Sequence, residues 1–188
     1  MVADITVVVL AGGQSTRMGT DKAMLHWAGQ RLVHHVQGRI AEGCREILVA
    51  SGDGHRLGLP GEIADAIPDA GPLSGALTGF EKASYPLVAL VAVDMPYASA
   101  DVLQAFAAVM DDADAVVGVV DGRRHPLHAL YRKEVAGELR DYLESGERSA
   151  RGFLDTLQVI DAGPDVWSAA DPTGTFAVNL NWPSDLPQ

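Results

Sequence analysis

The chain predicts an α/β fold, with a mostly parallel sheet carrying helices on both faces, and three observations lead there. Short runs of Val, Leu, Ile and Ala alternate with stretches of helical period, the pattern of strands joined by crossover helices. One run, Leu87 to Val93 (LVALVAV), is apolar on both faces, as a central parallel strand must be. The 188 residues contain no internal repeat, linker or low-complexity tract, so a single domain spanning 1–188 with a substantial core is expected.

The elements follow in order. Ile5 to Leu10 is a first apolar strand that runs into paired glycines, Gly12 and Gly13. Arg31 to Ala41 predicts a helix, because Leu32, Val33, Val36 and Ile40 recur at helical spacing. Glu46 to Ala50 is a second strand, stopped by Ser51-Gly52-Asp53-Gly54. Gly58 to Gly61 reads as a turn and Glu62 to Ala64 as a short strand, while Gly71 to Ala83 opens with Gly-Pro and continues as a helix. Beyond the central strand come a helix over Ser99 to Met110, strands over Ala115 to Val120 and Leu127 to Tyr131, and a helix over Glu134 to Leu143. Arg148 to Leu157 reads as helical and Val159 to Asp161 as extended. Ala162 to Gly174, rich in Gly, Pro, Asp and Ala, predicts a flexible loop, and Phe176 to Leu180 a last strand.

Composition narrows the function. Hydrophobic residues make up 47% of the chain, which excludes a disordered protein. No apolar run approaches a membrane span, and no basic segment precedes an apolar one near Met1, which argues against a secretory leader. Cys44 stands alone, so no internal disulfide forms; it suits a reducing cytoplasm and reads as a buried filler. Net charge is −11, with no run of Lys or Arg to offer nucleic acid a basic face.

The chemistry begins where the first strand ends, in Leu10-Ala11-Gly12-Gly13-Gln14-Ser15-Thr16-Arg17-Met18-Gly19, with Asp21-Lys22 just beyond. Paired glycines let the main chain approach a ligand closely. Unpaired loop amides then face an anion, and Arg17 and Lys22 add positive charge. That combination asks for a nucleoside triphosphate. A P-loop is ruled out because Lys22 is followed by Ala23 rather than a hydroxyl residue, and the dinucleotide fingerprint because Gly12 and Gly13 are adjacent. An acidic protein that binds a triphosphate must concentrate its few cations at the site or bridge acid to phosphate with a divalent cation, which favours Mg²⁺. Asp94, directly after the central strand in Val93-Asp94-Met95-Pro96, is placed for that ion, since open α/β sheets bind ligands at the carboxyl ends of their strands. Such an aspartate also serves as an N-cap, although the following helix starts only near Ser99.

The pattern L-A-G-G-x-S-x-R-M-G with D-K resembles the nucleotidyltransferases related to the molybdenum cofactor guanylyltransferase, and matching motifs continue in order to Asn181. The resemblance implies the Rossmann-like fold of nucleotide-diphospho-sugar transferases. It implies that Leu10, Ala11, Gly12 and Gly13 wrap the nucleotide, that Arg17 and Lys22 contact its phosphates, and that Asp94 is the metal-binding aspartate. Gly71-Pro72-Leu73-Ser74-Gly75 resembles the family's G-P-L-A-G segment beside the nucleotide, which brings in Gly71, and the nucleotide-contacting aspartate upstream aligns best with Asp65. Where the family often carries an Asn after the second strand this chain has Ala50, so Ser51 or the loop backbone is expected to meet the base. The Gly12-Gly13 pair favours guanine, since cytidylyl relatives more often show L-A-A-G.

On the acceptor side, His125-Pro126-Leu127-His128-Ala129-Leu130-Tyr131 resembles the family's H-P-x-x-A-L-Y strand, and Gly146-Glu147-Arg148 its G-E-R motif. Arg124 and His125 are candidates for the acceptor's phosphate or pterin, and Arg148 for an anionic group. A solvated Arg, a strand-end His and a surface helix end explain them equally well. Asn179 and Asn181 belong to an N-x-N-x-P pattern, and strand alternation would send both amides to one face; Trp182 and Ser184 depart from the usual Thr and acidic residue. The implied activity is transfer of GMP from GTP to molybdenum-molybdopterin with release of pyrophosphate, the N-terminal part binding nucleotide and the C-terminal part the acceptor. The implied partners are these two substrates and, beyond the reaction, molybdoenzymes or a GTP-binding helper protein. Transfer of CMP or of a nucleotide to another small phosphate, and a non-catalytic nucleotide-binding protein, are the competing readings.

Overall fold

The computed structural model describes residues 2–12, 21–52, 56–68, 70–180 and 185. Strand β1 (Ile5–Leu10) is buried along its whole length. It is followed by a two-residue hairpin, β2 (His26–Trp27) and β3 (Gln30–Arg31), then α1 (Leu32–Ile40), β4 (Glu46–Ala50), β5 (Glu62–Ile63), α2 (Pro72–Lys82) and β6 (Leu87–Ala92). The second half holds α3 (Ala100–Ala108), β7 (Ala115–Val120), β8 (Arg123–Arg132), α4 (Ala136–Glu144), α5 (Ala150–Leu154), β9 (Val159–Ala162) and α6 (Pro164–Trp167).

Seven strands form one sheet in the order β5-β4-β1-β6-β8-β7-β9. β4 and β6 pair β1 in parallel, β5 pairs β4 in parallel and β9 pairs β7 in parallel, whereas β8 runs antiparallel to both β6 and β7. β1 has β4 on one side and β6 on the other, so the chain winds outward in both directions from it and opens a crevice at the strands' carboxyl ends.

Strand alternation divides the core between the two faces. Val7 and Val9 pack with Val36, Ile40, Leu103 and Phe106 of α1 and α3. Val8 and Leu10 pack with Leu73, Leu77 and Phe80 of α2 and with Leu139 and Leu143 of α4. α2 lies close on the sheet because its inward positions are glycines: a Cβ on Gly79 would stand 2.5 Å from Val8 Cγ2, and one on Gly75 2.6 Å from Ala50 Cβ. That proximity carries the start of α2 to the ends of β1 and β4. Among the described residues no helix is long and apolar enough to cross a membrane.

Several expectations are corrected. Phe176 to Leu180 is not a strand: Thr175–Ala177 forms a 3-10 turn and the chain continues irregularly. The cause lies upstream, where the Asp171 carboxylate accepts from Thr173 N, Thr175 Oγ1 and Phe176 N and winds the chain after Gly174, whose φ is +68°. The presumed flexible loop before it contains α6 and a buried Trp167, whose indole N–H donates to the Ala162 carbonyl at 3.1 Å. β8 starts four residues earlier than the apolar run suggests and reverses the sheet direction locally. The helix near Arg148 is only Ala150–Leu154, capped by Ser149. Cys44 is half-buried rather than buried, and burial raises its thiol pKa. The hairpin β2–β3 escaped the sequence reading; its turn places Ala28 and Gly29 at φ +49° and +82°, the left-handed pair a tight hairpin requires.

Candidate active site

Three strand ends and one helix start meet in the crevice. Ala11 N donates to the Ala50 carbonyl at 2.8 Å, extending the β1–β4 ladder past both strands. Gly12 follows, and a Cβ there would meet Gly52 N at 3.1 Å, so only main chain fits between the two loops. Leu10 and Ala11 are buried. Gly71 takes φ +74° and hands the chain to Pro72, the first residue of α2, whose opening amides have no helical partners. Gly13 and Arg17 lie outside the described residues.

Lys22 and Asp94, separated by 72 residues in the chain, meet with Nζ 2.7 Å from Oδ2. The same ammonium donates to the Leu180 carbonyl at 2.8 Å, and Leu180 N donates to the Asp94 carbonyl at 2.8 Å. Three distant segments are thereby joined where the central strand ends. Both charged side chains remain about one fifth exposed, which leaves them open to a ligand. Asp94 does not cap the following helix: Ser99 accepts from Val102 N and does so instead. The turn after Asp94 is held from α1, where His35 Nε2 donates to the Pro96 carbonyl at 2.9 Å and Arg39 Nε to the Ala98 carbonyl at 2.8 Å. Lys22 stands in a 3-10 turn, Lys22–Met24, whose N-cap Asp21 accepts from Ala23 N.

Asp65 is half-buried beside α2, with its carboxylate near Gly75 and accepting from the Gly52 amide. Burial outweighs that hydrogen bond and the neighbouring Arg56 charge and raises its pKa to about 6. One of its oxygens, Oδ1, is buried without a partner among the described residues, a position that suits a ligand donor. Ser51 is placed differently from the expectation. Its side chain is buried and its hydroxyl donates to the Glu62 carboxylate, which turns it away from a base. Glu62 also accepts from Leu57 N and Leu59 N; burial alone would raise its pKa, but these hydrogen bonds together lower it to about 2.

The acceptor candidates are gathered only in part. Val91 pairs with His128 across β6 and β8, so the antiparallel β8 carries His125 past the carboxyl end of β6, the side on which Asp94 stands. His125 is half-buried, and burial followed by the charge of Arg151 lowers its pKa. Asn179 is exposed, one residue from the Leu180 carbonyl that holds Lys22; Asn181 lies outside the described residues. Arg148 Nη1 donates to the Leu143 and Glu147 carbonyls at the end of α4, and Arg124 is held by Asp161 and Asp155. Both arginines therefore serve the protein's own acceptors.

Two residues at the site escaped the sequence reading. Arg56 gave no signal because it follows a turn and belongs to no motif; its guanidinium reaches Ala11, Ser51 and Asp21. His128 sits inside the H-P-L-H run but is fully buried, with its ring 4.9 Å from that of Phe176 and Nε2 accepting from Ser99 N at 3.1 Å. Burial pushes its pKa down to about 4, so the ring is neutral near pH 7.

Among the described residues no three His, Cys, Asp or Glu side chains converge on one point. The site therefore offers no all-protein metal cage, but it suits Mg²⁺, which commonly binds one or two carboxylates and completes its shell with phosphate oxygens and water.

Comparison with known proteins gives the family and the fold. The family model described as a MobA-like NTP transferase domain matches residues 7–161. A protein of Chloroflexus aggregans named probable molybdenum cofactor guanylyltransferase is 33% identical over 187 residues, covering 95% of this chain and 90% of its own. A Mycobacterium bovis protein of the same name is 38% identical over 162 residues, covering 81% and 80%. Among solved structures, molybdopterin-guanine dinucleotide biosynthesis protein A from Archaeoglobus fulgidus superposes with a TM-score of 0.82 at 21% identity, covering 97% of this chain and 94% of that one. The 2-C-methyl-D-erythritol 4-phosphate cytidylyltransferase from Thermus thermophilus shares the fold, with a TM-score of 0.69 at 16% identity, covering 97% and 95%.

Proposed function

The chain belongs to the MobA-like NTP transferase family, and from that premise we propose that it transfers GMP from GTP to molybdenum-molybdopterin, releasing pyrophosphate. The observation that carries the reading is the junction of Lys22, Asp94 and Leu180 at the carboxyl end of the central strand. The names of its relatives supply the acceptor and the nucleotide.

In this reaction a phosphate oxygen of the acceptor attacks the α-phosphorus of GTP. The new P–O bond forms as the bond to the β-phosphate oxygen breaks, and the electron pair leaves with pyrophosphate. No protein nucleophile is needed, so the chain acts by positioning and by neutralising charge. The backbone of Ala11, Gly12, Gly13 and Gly71 borders the nucleotide, and the loop backbone that begins at Gly52 meets its base. Lys22 and Arg17 hold the phosphates. Asp65, with one buried oxygen unpartnered among the described residues, accepts from the nucleotide. Asp94 would hold Mg²⁺, which when bound offsets negative charge on the phosphate oxygens. Asn179 and Asn181 orient the acceptor, with His125 beside its phosphate and Arg148 at the rim. Cys44, free and half-buried, is in keeping with work in the reducing cytoplasm.

The test is pyrophosphate release from the purified protein with GTP, CTP, ATP or UTP, each with and without molybdopterin. Release with GTP only when the acceptor is present is the expected result. Release with CTP alone would make the protein a cytidylyltransferase, and no release with any pair would remove the catalytic reading.

A further inference from the structure

Arg56 has a geometry that none of the motifs accounts for. We infer that Arg56 is a positioning residue that joins the two ends of the glycine loop and so sets where Lys22 stands. The inference rests on the proposed role of Lys22 as a phosphate ligand.

The guanidinium uses each nitrogen on a different segment. Nε donates to the Ser51 carbonyl at 3.0 Å, at the end of β4. Nη2 donates to the Ala11 carbonyl at 2.6 Å, where the loop leaves β1. Nη1 pairs with Asp21 Oδ2, where the loop returns. A planar fork presents donors in fixed, divergent directions to three separate segments, whereas an ammonium carries its three donors on a single nitrogen. Asp21 then transmits the position: its other oxygen accepts from Ala23 N at 3.0 Å and caps the turn Lys22–Met24. From that turn Lys22 reaches Asp94 and Leu180. Arg56 is itself held by its neighbours, because Glu62 accepts from Leu57 N and Leu59 N and fixes the segment that follows it.

A side chain whose three nitrogens all have protein acceptors is built to shape a site rather than to receive a phosphate. Its side chain is 32% exposed, where an ion pair contributes little stability of its own. The consequence is geometric, and small displacements of a positioning group have large kinetic effects.

The test uses the full chain and three variants, Arg56→Ala, Arg56→Lys and Asp21→Asn. The asparagine keeps a capping oxygen for Ala23 N but sets an NH2 donor where Arg56 needs an acceptor. GTP and CTP are titrated without acceptor, and amide exchange is followed in the ligand-free protein. Each single variant is expected to weaken triphosphate binding about tenfold or more, the Arg56→Lys/Asp21→Asn double variant no further than either single one. The amides of Ala23, Met24 and Leu25 should exchange faster, with α1 and β6 unchanged. Wild-type affinity in Arg56→Lys, or losses that multiply in the double variant, would make Arg56 a direct phosphate ligand and overturn the inference. Unchanged affinity and exchange would overturn it too. Should Arg56→Ala fail to fold, the other two variants carry the test. Triphosphate binding by the wild type without pyrophosphate release would strike the proposed transfer and leave the clamp standing.

Discussion

The half of this molecule proposed to bind nucleotide and the half proposed to bind the acceptor are built on opposite principles. Around β1, β4 and β6 the sheet is parallel, the strands end together, and the positions proposed to face ligand are main chain or charged side chains left partly open. Around β7, β8 and β9 one strand, β8, runs against both its neighbours, and cations that look available in the chain are held internally: Arg124 by Asp161 and Asp155, Arg148 by the Leu143 carbonyl at the end of α4 and by the Glu147 carbonyl beyond it. The comparison teaches that charge near a site is informative only where the fold leaves it without a better partner.

Replacing residues in the two halves should break the comparison or sharpen it. Asp94→Asn should cost the most, lowering kcat by about a thousandfold or more while thermal unfolding stays near the wild-type value; pyrophosphate release and a melting curve decide it. Full activity in that variant at ordinary Mg²⁺ would remove Asp94 from the chemistry. Lys22→Met should lower kcat/KM by roughly a hundredfold. It would also loosen the segment around Leu180, seen as faster exchange of the Leu180 amide.

Acid should strike the acceptor half first. His128 is neutral when folded, its pKa depressed from the ordinary histidine value to about 4. The unfolded chain therefore binds more protons than the folded one between about pH 6.5 and pH 4. The stability this contributes is present above pH 6.5 and is lost as pH falls through that window. The wild type should melt about 5 °C lower at pH 4.5 than at pH 7 on this account, and His128→Phe should flatten that dependence. An equally steep profile in the variant would assign the acid sensitivity elsewhere.

Arg148→Ala should have the smallest effect, under about threefold on the acceptor KM, with a loss of a few degrees in melting temperature from the missing helix-end hydrogen bonds. A tenfold rise in that KM would mean the guanidinium leaves Leu143 for the substrate, and the two halves would then be alike.

Legibility was uneven within both halves. β1, β4 and β7 occur at the residues their apolar runs indicate, and Lys22 and Asp94 meet as their motifs require. Phe176 to Leu180 misled because its alternation comes from a different cause: Phe176 enters the aromatic cluster with Phe106, His128 and Trp167, and Asp171 bends the chain. Ser51 misled because Glu62, its hydroxyl's partner, is eleven residues on. Arg56 was invisible because its three acceptors lie on three segments.

The chain alone thus determined the features whose cause is local. Strand period, glycine where main chain must come close, and a carboxylate one residue past an apolar strand all act within a few residues of themselves. Tertiary structure decided which polar groups stay available, since a hydrogen bond goes to the acceptor that folding brings near, however far along the chain it lies. Leu180, Asp94 and Lys22 share one junction for that reason, while Arg124 and Arg148 are bound internally.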